Sequence, residues 1–322
     1  MKIIFLVSIL FLSAFATEVG IDSKKISVSG LSSGAFMAVQ MHVAYSETIM
    51  GAAVFAGGPF YCAKGQMTTA LTTCMAIGTG IDTTGIKSTI KSWESSGKID
   101  NSAHLVDSRV YIFSGTSDST VNPKVNKVNE DLYSELGATV QSEFTKAAGH
   151  TFPTMKYGNT CSMTQSPYIG KCDYDGAKVS LEHIYDTELA EPVAFDKSSI
   201  FTMSQSGSSM ASQAYAYVPK ACQSSEAECP LHVAFHGCQQ STKDIGMKYI
   251  EETGYNEVAE ANGIVILYPQ VVSQFLKNPN GCWDWWGYSG SDYATNSGSQ
   301  MKGAKALIDK LVSGSVSLES AY

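Results

Sequence analysis

The sequence predicts a single α/β domain, and three observations support this prediction. A short buried strand at 26–28 runs into Gly30-Leu31-Ser32-Ser33-Gly34, which is followed by a helix and a second strand. Asp118 and His150 each follow a predicted strand. In the second half of the chain, another apolar strand ends at His236-Gly237. Polar residues gather at the carboxyl ends of strands in open α/β sheets, so we expect these loops along one edge.

The turn around Ser32 has the most specific local pattern. The elements predicted around it are a strand at 26–28, a helix at 35–44 and a strand at 52–56. A G-x-S-x-G turn in this context is typical of a nucleophile elbow. A serine on so tight a turn has strained backbone geometry, and side chains at Gly30 or Gly34 would collide with the flanking strand and helix. The alternative is a glycine- and serine-rich loop that only turns the chain.

An acid and a base for Ser32 follow it in the chain. A strand at 109–114 precedes the loop of Asp118, and after a helix at 125–137 and a strand at 139–145 comes His150. The order Ser, Asp, His is that of α/β-hydrolase triads. His150 would take the serine proton while Asp118 orients the imidazole. Alone, Asp118 would be read as a helix cap and His150 as a surface residue; their order and positions favour the triad.

The other five histidines fit the role of general base less well. They lie in the helix after the turn (His42), before the strand of Asp118 (His104), in a β-like run at 179–185 (His183), at the start of a strand (His232) and in the loop described next (His236).

The strand at 231–235 ends in His236-Gly237-Cys238, a pattern of esterase loops whose backbone N–H complements the one after the nucleophile. In those enzymes the loop precedes the nucleophile, whereas here it follows far behind it. The helix at 254–262 and the strand at 263–268 are displaced in the same way. The sequence therefore predicts a circularly permuted α/β-hydrolase fold, a rearrangement that neighbouring surface termini permit.

The N-terminus predicts export. Met1-Lys2 is basic, residues 3–12 are almost wholly apolar, and 13–16 supply an A-x-A cleavage site. We therefore assign 1–16 to a secretory signal peptide and 17–322 to the catalytic domain; an anchoring segment is the alternative. The formal charge of −8 argues against nucleic acid or an anionic membrane surface as a partner. We expect a secreted monomer.

The eight cysteines, an even number behind a signal peptide, favour four disulfides. Their spacing offers no paired Cys/His pattern for zinc, and we expect neither a metal nor a cofactor. Spacing does not determine connectivity. Proximity suggests Cys62–Cys74, Cys161–Cys172 and Cys222–Cys229, which leaves Cys238–Cys282.

Five motifs together resemble the secreted, single-domain poly(3-hydroxybutyrate) depolymerases. They are the Ser32 turn, Gly-x-x-Asp-x-x-Val at 115–121, Gly149-His150, His236-Gly237-Cys238-x-Gln240 and Gly281-Cys282-Trp283-Asp284-Trp285-Trp286. The resemblance covers nearly the whole mature chain. It implies the permuted fold, the disulfides, a Ser32–His150–Asp118 triad, and the N–H groups of Ser33 and Cys238 as the oxyanion hole. The segment at 160–196 matches least well, and its role stays open.

The tryptophan-rich run at 282–288 has two interpretations. Its aromatic residues can fill the core, which is the usual fate of a single tryptophan. Four aromatics in seven residues cannot all point inward from one loop. We therefore predict that Trp286, with Trp285, lines the cleft and stacks along an apolar polyester chain.

These inferences predict an extracellular serine esterase that converts poly(3-hydroxybutyrate)-type polyester to 3-hydroxybutyrate monomers and oligomers through an acyl-enzyme. One alternative keeps the triad but changes the ester, giving a feruloyl or acetylxylan-type carbohydrate esterase. The other is a catalytically inactive secreted binding protein. The complete Ser32, Asp118 and His150 set argues against the latter.

Overall fold

The computed structural model describes residues 18–314 and 318–322. The predicted signal peptide at 1–16 lies outside the described residues and stays a prediction. The strands of the described residues are β1 Ile21–Leu31, β2 Gly51–Phe55, β3 Arg109–Phe113, β4 Thr139–Glu143, β5 Phe152–Thr154, β6 Asn159–Thr160, β7 Ile169–Lys171, β8 Ile200–Ser204, β9 Gln213–Tyr217, β10 Cys229–Phe235, β11 Val265–Tyr268 and β12 Glu319–Ser320. The α-helices are α1 Ser33–Ala44, α2 Met67–Leu71, α3 Thr83–Ser95, α4 Pro123–Glu135, α5 Gly176–Tyr185, α6 Thr242–Ile245, α7 Lys248–Glu252, α8 Tyr255–Asn262 and α9 Ser299–Val312.

The main sheet has nine strands in the order β12-β8-β9-β11-β10-β1-β2-β3-β4. Its centre is parallel, and β1 lies between β10 and β2, with Val28 opposite Val233 on one side and Ala52 on the other. The β1–β10 pair joins the two halves of the chain. Strands β8 to β12 lie on one side of β1, and strands β2, β3 and β4 lie on its other side. This is the sheet of an α/β-hydrolase in which the strands that usually come first along the chain come last. The predicted single-domain, circularly permuted α/β-hydrolase fold is confirmed.

Helices cover both faces of this sheet, as a parallel sheet requires. One apolar cluster packs α1, α3, α4 and α9 against one face, and a second packs α5, α7 and α8 against the other. Every residue of α1 is buried, so the helix that follows Ser32 has no solvent-exposed side.

One predicted strand is wrong. The run at 179–185, which contains His183, lies within helix α5. Its alternation resembled a strand, but the fully buried Ala177, Leu181 and Ile184 recur at helical spacing. Asp175, just before the helix, accepts a hydrogen bond from Lys178 N at 2.9 Å and caps its N-terminus.

All eight cysteines are paired, in the connectivity that proximity suggested. The pairs are Cys62–Cys74, Cys161–Cys172, Cys222–Cys229 and Cys238–Cys282.

Candidate active site

Ser32 stands on the turn between β1 and α1 with φ 57° and ψ −122°, a conformation that a non-glycine residue adopts only under strain. The flanking glycines permit this turn. A β-carbon on Gly30 would lie 2.2 Å from the Gly34 carbonyl oxygen, and one on Gly34 would lie 2.2 Å from the Phe235 oxygen. The backbones of β1, α1 and the end of β10 are therefore in direct contact at Ser32.

His150 and Asp118 form a buried pair at the edge of the same sheet. The imidazole Nδ1 lies 2.8 Å from Asp118 Oδ2. The second carboxylate oxygen accepts hydrogen bonds from the backbone N–H groups of Thr120 (2.8 Å) and Val121 (3.0 Å). These bonds fix the carboxylate so that one oxygen stays directed at the imidazole. Ser32 and His150 line one cavity.

The segment at 160–172, whose role the sequence left open, supports the histidine loop. Thr164 Oγ1 accepts a hydrogen bond from His150 N at 2.8 Å, and Cys161 O accepts one from Gly149 N at 2.8 Å. The Cys161–Cys172 disulfide closes this segment. Thr164 also lines the cavity. Sequence reasoning missed it because no motif marks a lone threonine in an irregular segment.

The loop at 236–240, hereafter the oxyanion loop, follows β10 and lies beside Ser32. A β-carbon on Gly237 would lie 3.4 Å from the Ser32 β-carbon. Gly237 and Cys238 line the cavity. Within residues 18–314 and 318–322, neither Ser33 N–H nor Cys238 N–H has a hydrogen-bond partner. These are the two donors that the sequence analysis assigned to an oxyanion.

The Cys238–Cys282 disulfide joins the oxyanion loop to the tryptophan-rich loop, with 4.2 Å between their Cα atoms. Asp284 organises the second loop from inside. Its carboxylate accepts hydrogen bonds from the backbone N–H groups of Gly287 (2.7 Å), Tyr288 (3.0 Å) and Ser289 (2.7 Å). Burial raises the pKa of this carboxyl group, and the hydrogen bonds that it accepts lower the pKa in part.

The three neighbouring tryptophans divide as the two interpretations allowed. Trp283 is fully buried and packs edge-on against Phe235. Trp285 stacks on Phe36, with ring centroids 4.0 Å apart, and Trp286 packs edge-on against Trp285. Trp285 and Trp286 both line the cavity that contains Ser32.

The cavity has a volume of about 460 Å³. Its apolar wall includes Met67 and Leu71 of α2, which are 51% and 54% exposed. Nothing in the sequence spacing of Met67 and Leu71 marked them as cavity residues. None of the described residues that line the cavity is an Asp, Glu, Lys or Arg.

Among the described residues, no cluster of three or more His, Cys, Asp or Glu side chains could bind a metal ion. No helix among them is long and apolar enough to cross a membrane.

The fold is an α/β-hydrolase, and the serine, histidine and aspartate at its cavity are the residue set of serine esterases. No protein-family model matches the chain. It is 44% identical over 307 residues to a poly(3-hydroxybutyrate) depolymerase of Delftia acidovorans, an alignment covering 91% of this chain and 61% of that protein. The chain therefore spans about three fifths of that relative. It is 41% identical over 314 residues to a polyhydroxybutyrate depolymerase of Talaromyces funiculosus, covering 91% of each.

Two solved structures of polyhydroxybutyrate depolymerases are also similar to this chain. A polyhydroxybutyrate depolymerase with a serine-to-alanine substitution, complexed with an R3HB trimer, superposes with a TM-score of 0.86 at 38% identity over 93% of this chain and 99% of that one. The polyhydroxybutyrate depolymerase of Penicillium funiculosum gives 0.85 at 38% identity, with the same coverage. The chain belongs to the polyhydroxybutyrate depolymerase family.

Proposed function

We propose that this protein is an extracellular serine esterase that hydrolyses poly(3-hydroxybutyrate)-type polyester to 3-hydroxybutyrate monomers and short oligomers. The observation that carries the proposal is the buried His150–Asp118 pair at the apolar, tryptophan-edged cavity of Ser32. The names of the relatives support the polymer as substrate.

Each residue has a defined task in this reaction. Ser32 Oγ attacks the ester carbonyl while the imidazole of His150 accepts the hydroxyl proton, and Asp118 stabilises the resulting imidazolium. The N–H groups of Ser33 and Cys238 donate to the carbonyl oxygen as it becomes an oxyanion. Collapse of the tetrahedral intermediate expels the alcohol end of the polymer, which takes the proton from His150. Water, activated by the same histidine, then hydrolyses the acyl-enzyme and releases a carboxylic acid.

The cavity suits a neutral, apolar chain. Trp286 and Trp285 offer flat apolar surfaces, and Met67 and Leu71 extend the apolar wall toward solvent. Charged side chains, which a polyester cannot pair, are missing from the described lining. The polymer segment at the cleavage site would thus exchange water for apolar contacts without leaving a buried charge unpaired.

An exposed apolar rim lies beside the cavity. Phe275 and Leu276 are 90% and 82% exposed at the tip of a loop whose next residues, 278–280, line the cavity. Exposed apolar side chains of this size mark interaction surfaces. We assign this rim to adsorption on the solid polymer, which cannot enter a deep pocket.

Extracellular location is supported by the disulfides and by the N-terminal pattern at 1–16. We propose a monomer, since one chain supplies the serine, the histidine–aspartate pair and the walls of the cavity.

The test compares purified mature protein on polyhydroxybutyrate film, p-nitrophenyl butyrate and feruloylated arabinoxylan, with Ser32→Ala as control. We expect film clearing with release of 3-hydroxybutyrate, hydrolysis of the soluble ester, and neither with the control. Ferulate or acetate release without film clearing would replace the polyester with a carbohydrate ester. Activity retained by Ser32→Ala would remove the proposed nucleophile.

A further inference from the structure

Two side chains of the oxyanion loop hold both backbone polar groups of Gly237. The Gly237 carbonyl oxygen lies 2.7 Å from His236 Nδ1, and Gly237 N–H donates to Gln240 Oε1 at 2.7 Å. His236 is fully buried and Gln240 is 1% exposed. Burying two polar side chains costs free energy unless their hydrogen bonds are made, so the loop depends on this arrangement.

The hydrogen bonds of His236 define its tautomer. Val271 N–H donates to Nε2 at 3.1 Å, so Nε2 carries a lone pair and no proton. The proton of the neutral ring is therefore on Nδ1, which donates to Gly237 O. Burial lowers the pKa of His236 to about 4, so the ring is neutral at neutral pH.

The bond to Gly237 O directs the next N–H group. A trans peptide unit is planar, with its C=O and N–H pointing in opposite directions. The peptide that joins Gly237 to Cys238 is not among the cis bonds of the described chain. Because the buried His236 ring holds the oxygen on the protein side, Cys238 N–H points the other way, toward the cavity that Cys238 and Ser32 line.

Gln240 connects this arrangement to the histidine loop. Its Nε2 donates to Pro167 O at 2.7 Å. The neighbouring Tyr168 O accepts a hydrogen bond from Phe152 N at 2.9 Å, two residues after His150. The oxyanion donor and the general base thus share one supporting segment.

We propose that His236 and Gln240 are positioning residues that preset Cys238 N–H for the oxyanion of the ester. The inference rests on the proposed function, because it takes Cys238 N–H as an oxyanion donor. It concerns every ester that Ser32 attacks, so it is independent of the polymer. A merely structural role would stabilise the loop without favouring the transition state over bound substrate.

Two substitutions separate the two bonds of His236. In His236→Gln the amide oxygen can occupy the Nε2 position and accept from Val271, but no donor remains for Gly237 O. In His236→Asn the amide nitrogen can occupy the Nδ1 position and donate to Gly237 O, while the acceptor for Val271 is lost. Both variants replace a buried ring with a smaller amide, so they control for each other in stability.

On p-nitrophenyl butyrate we expect His236→Gln to lower kcat by roughly 100- to 1,000-fold with little change in KM, the effect of losing one oxyanion donor. His236→Asn should stay within about tenfold of wild type. Affinity for an alkylboronic acid, whose serine adduct places an oxygen in the oxyanion hole, should fall in parallel with kcat. The melting temperature of each variant, measured together with its kcat, shows whether a loss of kcat results from a loss of stability.

The proposal would be overturned if kcat fell equally in the two variants and in proportion to their melting temperatures. It would also be overturned if kcat fell in neither variant. If a variant does not fold, the ¹⁵N spectrum of histidine-labelled wild-type protein decides. A proton on Nδ1 of His236 at pH 7 supports the proposed hydrogen bond to Gly237 O, and a proton on Nε2 refutes it. If His236 and Gln240 do not position Cys238 N–H, wild-type protein still clears film and Ser32→Ala is still inactive. The positioning proposal and the proposed function can therefore fail separately.

Discussion

The two sides of the cavity are built differently. On the inner side, most residues of the Ser32 turn and the oxyanion loop are buried, and His236 and Gln240 hydrogen-bond both polar groups of Gly237. The backbones are so close there that Gly34 admits no β-carbon. On the outer side, Met67, Leu71 and the Phe275–Leu276 tip expose apolar side chains to water. The inner side pairs its buried polar groups at defined distances, whereas the outer side presents apolar area. The proposed function therefore assigns bond cleavage and polymer adsorption to separate residues, which can be changed separately.

The largest effect tests the inner side. Ser32→Ala or His150→Ala should lower ester hydrolysis by about 10⁴- to 10⁶-fold, because the triad acts as a unit. Both substitutions should leave folding nearly unchanged, which circular dichroism checks. Film adsorption should remain, since the rim is untouched. Labelling by an organophosphate at a serine other than Ser32 would disprove the assignment.

A smaller effect tests the covalent link between the oxyanion loop and the tryptophan-rich loop. Replacing Cys238 and Cys282 together with alanine should lower the free energy of unfolding by about 2–5 kcal/mol, since the bond restricts the unfolded chain. Activity on p-nitrophenyl butyrate should fall as well if the link aligns Cys238 N–H. The matched control is Cys222→Ala with Cys229→Ala, a disulfide whose two cysteines do not line the cavity. Activity loss equal to that control would contradict an aligning role.

Trp286→Ala sharpens the comparison because this residue lies where the two sides meet. We expect roughly tenfold slower polymer hydrolysis, about 1.4 kcal/mol, from the loss of apolar contact area, and a change below about threefold on p-nitrophenyl butyrate. The measurement is the ratio of the two rates. Equal losses on both substrates would remove the polymer-binding role from this loop.

The smallest effect tests the outer rim alone. Replacing Phe275 and Leu276 with serine should reduce adsorption to polymer film several-fold, on the order of 1 kcal/mol, because their apolar contact with the film is lost. Activity on the soluble ester should not change. The control replaces Val106 and Val193, which are 53% and 48% exposed and do not line the cavity. If the two pairs of substitutions reduced adsorption equally, adsorption would depend on exposed apolar residues in general and not on this rim.

Sequence reasoning succeeded where the pattern is local. The strand–turn–helix around Ser32 is recognisable because its strained turn demands glycine at Gly30 and Gly34, as the close backbone contacts explain. The strand that precedes Asp118, β3, is an apolar run with clear ends. At α5 local alternation misled, because tertiary packing selected the helical spacing of Ala177, Leu181 and Ile184.

The remaining parts of the site depend on contacts between distant segments. Thr164 accepts a hydrogen bond from His150 N, and Met67 and Leu71 line the cavity. No local sequence pattern predicts these contacts, because each depends on how the fold places distant segments. The sequence by itself determined the candidates for nucleophile, base and acid, the chain order that implied a permuted fold, and the disulfide pairing that proximity suggested. Only the tertiary structure decided that Trp283 fills the core and how His236 and Gln240 hold Gly237. The physical reason is that turns and strands follow from each residue's own backbone and side-chain preferences, whereas burial and hydrogen-bond partners are set by whichever segment the fold places opposite.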